Sequence, residues 1–93
     1  MPERVQQPEG PAFDAALAEE LRSIMARKQI SQAEVGREYG WKQPFLSKRL
    51  AGRIPWDTLD LVKICDYLDV DMGAVVAVAK RRALGSDDDK RAS

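Results

Sequence analysis

From Ala12 onward the apolar side chains return at intervals of three and four. Phe13, Leu17, Leu21, Ile24 and Met25 therefore share one face of a helix, because that spacing follows the 3.6-residue turn. Pro11 suits the first turn of such a helix, the acidic Asp14, Glu19 and Glu20 lie in its N-terminal half, and Arg27 and Lys28 close it. That order of charge complements the helix macrodipole. The pattern predicts a first helix over 12–28 with its apolar stripe in the core.

Ser31 follows Ile30, and Glu34 stands three residues on, which is the spacing of a capping box and marks the start of a second helix. Val35 and Tyr39 face inward at i and i+4. Gly36 between them costs about 1 kcal/mol of helix stability relative to alanine, so a close approach, expected from a crossing helix, must require it. Gly40 supplies the left-handed residue that ends the helix, and Trp41 begins a turn. Pro44 suits the first turn of a third helix and biases its predecessor away from the α region, which makes Gln43 the expected N-cap. The third helix is predicted over 44–51, with Leu46 and Leu50 inward and Phe45, Ser47, Lys48 and Arg49 on the other faces. Gly52 stops it.

Arg53, Ile54 and Pro55 read as a connector, with Trp56 a hydrophobic lid over it. Asp57 can cap a fourth helix carrying Asp60 in its first turn and a buried stripe of Leu61, Ile64, Cys65 and Leu68, flanked by Leu59 and Val62. Asp71 can cap a fifth, in which Val75, Val76, Val78 and Ala79 lead to Lys80, Arg81 and Arg82. Residues 1–11 hold three prolines and a glycine and almost nothing apolar, so they cannot repay the entropy of ordering and read as a flexible arm. Residues 85–93 read as a polar, disordered tail. The expectation is one all-α domain of five helices over 12–84, with no strand signal and no internal repeat.

Composition narrows the chemistry. A 93-residue chain that is 44% hydrophobic can build one modest core without disulfides or metals. The single Cys65 lacks a second cysteine or any histidine with which to form a disulfide, a metal site or a nucleophilic pair, so it reads as a packing residue. There is no signal-peptide pattern and no apolar run approaching the ~18 residues of a membrane span, so a soluble, cytoplasmic protein is expected. With no phosphate-binding glycine loop and no evident acid–base pair, an enzyme is not expected, nor is a cofactor or a bound metal. The Asp87–Asp89 run would hold a cation only weakly and reads as a solubilising end.

The formal net charge of zero by itself speaks against a nucleic-acid partner, but the charges are segregated. The local balances are −4 over residues 1–21, +6 over 22–53, −4 over 54–74 and +2 over 75–93. The basic zone coincides with the two short helices and their turn, Ser31 to Gly52. Two helices joined at a glycine turn, with cations on and after the second, have the form of a helix-turn-helix able to enter a DNA groove. The arm contributes only Arg4, too little charge for a minor-groove grip.

The joint spacing of Ser31–Gln32 at the head of the second helix, Gly36, Tyr39–Gly40, Leu46 and Gly52 resembles the lambda-repressor and Cro-like helix-turn-helix proteins, also called the XRE family, of phages and bacteria. The later stretch PWDTLDLVKICDYLDVDMGAVV resembles that family's fourth helix and the start of its fifth, so the resemblance covers about Leu17 to Val76. It implies a sequence-specific regulator of transcription, of the repressor or Cro type, whose third helix enters the major groove of a double-stranded operator. In the lambda repressor itself, glutamines matching Gln32 and Gln43 cooperate, the first touching the backbone and bracing the second, which reads adenine. The resemblance thus implies base contacts from Gln43, Pro44, Phe45, Lys48 and Arg49, and backbone contacts from Gln32, Lys42, Ser47 and Arg53. Pro44 departs from the small polar residue often used there and can offer only an apolar surface, such as to a thymine methyl. Phe45 either meets a thymine methyl or packs onto Trp41. Lys48 and Arg49 either touch DNA or solvate the back of the helix. A homodimer on a pseudo-palindromic site is expected, with Val75, Val76, Val78 and Ala79 as its surface because so many apolar side chains crowd one small helix. The other reading is that those valines cover the first helix. An antitoxin-like or adaptor protein of the same fold, whose main partner is another protein, is the competing function.

Overall fold

The computed structural model describes residues 9–92, with side chains as far as Gly85. Five helices follow in order: α1 (Gly10–Lys28), α2 (Gln32–Tyr39), α3 (Gln43–Leu50), α4 (Thr58–Leu68) and α5 (Met72–Ala92), and no strand occurs among the described residues. The starts of α2, α4 and α5 are held by the side chains that the sequence marks for them. Ser31 Oγ accepts from the Glu34 amide at 3.1 Å while Glu34 Oε1 accepts from the Ser31 amide at 3.0 Å, completing the capping box. Asp57 accepts from the Asp60 amide and Asp71 from the Ala74 amide, each at 2.9 Å. These contacts satisfy amide donors that a helix start leaves without an intrahelical partner.

Several element boundaries differ from the pattern-based expectation: α1 begins at Gly10, inside the arm expected over 1–11, and α3 ends at Leu50 and not at Ala51. Lys42, not Gln43, is the N-cap of α3, with Gln43 already helical and Pro44 second in the helix. Proline is tolerated there because the first turn has no use for its missing amide, and the bias it imposes on its predecessor is a preference that packing overrides. Helical backbone also continues past Gly85 to Ala92, where a disordered tail was expected. A lone glycine costs a helix only about 1 kcal/mol, and no proline follows to break it. Residues 1–8, most of the expected arm, and Ser93 lie outside the described residues. No helix among the described residues is long and apolar enough to cross a membrane.

The core forms around α1, which packs chiefly on α5 and also meets α3 and α4. Leu17, Leu21, Ile24 and Met25 join Val35, Leu46, Leu50, Leu61, Ile64, Cys65 and Leu68 in one cluster. Val75 and Ala79, expected at a dimer surface, belong to this cluster instead, with 3% and 0% of their surface exposed. Val76 and Val78 are half-buried. The crowding of apolar residues on α5 is thus met largely inside the monomer. A charged clamp closes the same seam: Arg82 reaches both Glu19 and Glu20 of α1 at 3.0 Å, and Glu20 is buried beneath it.

The approach of α2 to α3 depends on Gly36. A Cβ placed there would lie 2.9 Å from the Trp41 carbonyl oxygen, so the close neighbour is the backbone of the turn, not the crossing helix that the sequence suggests. Gly40 then takes the left-handed conformation, with φ 70°, that the sequence assigns it. Beyond the turn, Trp41 sits among aromatic rings, 5.0 Å from Tyr39, 6.2 Å from Phe45 and 5.9 Å from Trp56 between centroids. Tyr39 donates its hydroxyl to the Lys63 carbonyl of α4 at 2.7 Å, and Tyr67 of α4 donates to Glu34 Oε2 of α2 at 2.9 Å.

Arg49 fastens the end of α3 to the start of α4. Its guanidinium meets Asp60 at 2.8 Å and Asp57 at 3.6 Å, and lies over the rings of Phe45 and Trp56 at 4.3 and 5.2 Å. Only 7% of Arg49 is exposed, so its charge is compensated inside the protein and is not offered to a ligand.

Three outcomes follow from these contacts. Gly36→Ala should lower stability in urea unfolding by about 1–2 kcal/mol, because a clash with fixed backbone outweighs the gain in helix propensity. Asp60→Asn should cost about 3 kcal/mol in the same measurement by leaving Arg49 buried against a neutral partner. The Glu34 carboxyl is held below the ordinary carboxylate range, first by the Ser31 amide and then by the Tyr67 hydroxyl. A depressed folded value means that its contribution is full above the unfolded carboxylate value and is lost as pH falls through the folded one. Thermal melting of Glu34→Gln should therefore show a shallower acid limb than that of the parent.

Candidate nucleic-acid interface

The exposed face of α3 consists of Gln43, Pro44, Ser47 and Lys48, continued by Ala51, while Leu46, Arg49 and Leu50 are buried. Positions 43 and 47, and 44 and 48, are one turn apart, so these side chains form two adjacent rows along the outside of the helix. Lys42 is exposed at its N-cap and Arg53 is exposed just beyond its end. A cationic side chain thus stands at each end of an eight-residue helix whose outer surface carries no acidic group.

At the head of this surface, Gln43 Nε2 donates to Gln32 Oε1 at 2.9 Å. The bond depends on the tertiary arrangement, since the two residues begin different helices and meet only because the Gly36–Trp41 contact brings those starts together. It also orients the Gln43 carboxamide. With one N–H committed to Gln32, the carbonyl oxygen and the second N–H remain, an acceptor and a donor in one plane. That pair complements the N6 donor and N7 acceptor on the major-groove edge of adenine. The first helical turn at Gln43, one residue earlier than expected, places the side chain within reach of Gln32.

Two of the residues expected at bases are committed elsewhere. Arg49 points into the α3–α4 junction and is removed from the contact set, because Asp57, Asp60 and two aromatic rings occupy its guanidinium. No local pattern marks this, since Lys48 and Arg49 are adjacent cations and only the helix phase separates them. Phe45 takes the packing alternative. Its half-buried ring lies against Trp41 and beneath Arg49, and it supports the helix from behind. Trp56 covers the connector as expected and joins the same aromatic cluster.

Arg22 of α1 was not singled out by its sequence context, where it is one charge among many on a polar helix face. In the fold it donates Nη1 to the Leu50 carbonyl at the C-terminal end of α3. Arg82 is a second cation whose role only the fold reveals. It neutralises Glu19 and Glu20, the acidic residues on α1 nearest to Arg22 in sequence. Cys65 is buried in the core, and burial pushes its thiol up to about 11, so the reactive thiolate is scarce at neutral pH.

A family model described as the Cro/C1-type HTH DNA-binding domain matches residues 20–77, from the middle of α1 to the first turns of α5. Comparison with curated proteins and with solved structures gives no match. The matched stretch contains the whole of α2, the turn and α3, and covers more than half of the chain. With five helices arranged around that stretch and its cationic, carboxylate-free outer face, the chain belongs to the Cro/C1-type helix-turn-helix DNA-binding domain family.

Proposed function

We propose that this protein is a sequence-specific regulator of transcription of the repressor or Cro type, which lays α3 in the major groove of an operator. The reading rests above all on the hydrogen bond between Gln32 and Gln43, which presents a fixed donor–acceptor pair at the exposed head of α3. Gln43 reads adenine, Pro44 offers an apolar surface to a neighbouring thymine methyl, and Lys48 reaches a phosphate or a base edge from the next turn. Gln32, Lys42, Ser47 and Arg53 hold the sugar–phosphate backbone and set the register.

An eight-residue recognition helix reads only a few base pairs, so specificity calls for two copies on a pseudo-palindromic operator, with half-sites about 34–36 Å apart. With Val75 and Ala79 in the core, the apolar positions left for a second copy are Val76 and Val78 on α5 and the exposed Leu59 and Val62 on α4. Such a regulator works in the cytoplasm, on the DNA of a bacterium or of a phage within it.

Selection of bound duplexes from a random pool tests this reading, since the recovered consensus reports both the half-site and its spacing. On that consensus, Gln43→Ala should lower affinity by about 1–3 kcal/mol and relax the preference at one base position, measured by fluorescence anisotropy on single-base variants. Lys48→Ala should weaken all duplexes alike if Lys48 holds a phosphate. Equal loss on the consensus and on unrelated DNA for Gln43→Ala would remove its reading role.

A further inference from the structure

Side chains tie α4 to both ends of α2. Tyr67 of α4 donates its hydroxyl to Glu34 Oε2 at 2.9 Å in the first turn of α2, and Tyr39 in the last turn donates to the Lys63 carbonyl at 2.7 Å. Glu34 Oε1 meanwhile accepts from the Ser31 amide, so the carboxylate that closes the capping box is the one that Tyr67 holds. We propose that Tyr67 is a positioning residue for base reading: it fixes the Glu34 carboxylate, and with it the start of α2 from which Gln32 orients Gln43. The inference rests on the reading that Gln43 meets a base edge, and it adds a residue of α4, outside the helix-turn-helix.

The connection runs from α4 to the exposed carboxamide without a gap. Tyr67 meets Glu34, Glu34 meets the Ser31 amide, Gln32 follows Ser31 in the chain, and Gln32 Oε1 accepts from Gln43 Nε2 at 2.9 Å. Each step is a hydrogen bond of ordinary length or a single peptide unit, so little slack accumulates along it. Without the Tyr67 hydroxyl the Glu34 side chain would regain rotamer freedom that the capping box alone must then restrain. Arg37, three residues further along α2, attracts the same carboxylate and would compete for it. An eight-residue helix has little stability of its own, so a weakened cap loosens the first turn, where Gln32 stands.

The chemistry of the Tyr67–Glu34 pair suits this role. A phenol donating to a carboxylate makes a charge-assisted bond, stronger than one between neutral groups. The bond to Glu34 is the first cause that pushes the Tyr67 hydroxyl above its ordinary value, while the Ser31 amide and then Tyr67 hold the Glu34 carboxyl below its own. At neutral pH the donor therefore keeps its proton and the acceptor its charge. The ring of Tyr67 packs edge-on to Tyr39 at 6.2 Å between centroids, a contact that does not involve the hydroxyl. Ring and hydroxyl thus have separable effects, the one on how α2 packs against α4 and the other on where Glu34 points.

The test compares the full parent chain with Tyr67→Phe, which keeps the ring and removes the hydroxyl alone. Affinity is measured on the selected consensus duplex, on its single-base variants and on unrelated DNA, together with thermal melting. Tyr67→Phe should relax the preference by about two- to ten-fold at the one base position that Gln43→Ala also relaxes, the range expected of a residue acting through intermediates. Its affinity for unrelated DNA, and the salt dependence of that affinity, should match the parent, because no phosphate contact is lost. In the Gln43→Ala background Tyr67→Phe should change the preference no further. A preference that Tyr67→Phe leaves intact, an equal fall on every duplex, or a further change in the Gln43→Ala background would overturn the positioning role while leaving DNA binding by α3 intact. A parent with no preference at any position would overturn the reading of Gln43, and the inference with it. If melting shows that Tyr67→Phe is unfolded, Glu34→Asp, which draws the carboxylate away from Tyr67 by one methylene, is read in its place: relaxation at the Gln43 position supports the role, and an unchanged preference overturns it.

Discussion

The approach of Gly36 to the Trp41 carbonyl is the constraint on which the placement of α3 and its exposed face depends. No side chain larger than hydrogen fits between the middle of α2 and the turn that follows it. Because the turn folds back so closely, α3 starts beside the start of α2, and Gln43 comes within 2.9 Å of Gln32. The cost of a mid-helix glycine, about 1 kcal/mol, is therefore offset by the geometry that lets two carboxamides from separate helices act together.

The remaining contacts of α3 fix its orientation. Aromatic rings fill the space behind the turn, and Arg49 ties the far end of the helix to α4 through two carboxylates. Arg22 reaches the same end from α1. A short helix has little stability of its own, so these connections, not its intrinsic propensity, hold the exposed row of Gln43, Pro44, Ser47 and Lys48 in place. Preorganisation of this kind reduces the entropy lost when side chains are ordered on binding.

Charge is organised on the same principle. The chain is neutral overall, yet four of its acidic residues are engaged by internal cations. Arg82 holds Glu19 and Glu20 against α5, and Arg49 holds Asp57 and Asp60 against α3. Lys42, Lys48 and Arg53 remain exposed around α3. Net charge is thus a poor guide to this molecule's partners, because the field at a surface depends on which charges reach it.

The sequence alone determined the five helices, the capping residues Ser31, Asp57 and Asp71 and the left-handed Gly40, while the pairing of Gln32 with Gln43 was legible only through family resemblance, because the bond itself is made by the tertiary arrangement. Caps, turns and amphipathic stripes act over a few residues, so their signals are local and survive in the linear pattern. Tertiary structure decided what each cation and each apolar side chain on a crowded face would meet. Arg49 and Lys48 are neighbours of like chemistry, but helix phase sends one into the α3–α4 junction and leaves the other in solvent. Val75 and Ala79 are apolar in a way that fits either a core or a second subunit, and the packing of α5 on α1 assigns them to the core. Arg22 acquires its role from α3, which lies 28 residues away at Leu50. No local pattern encodes a contact of that range, because it depends on how helices cross and not on how each begins or ends.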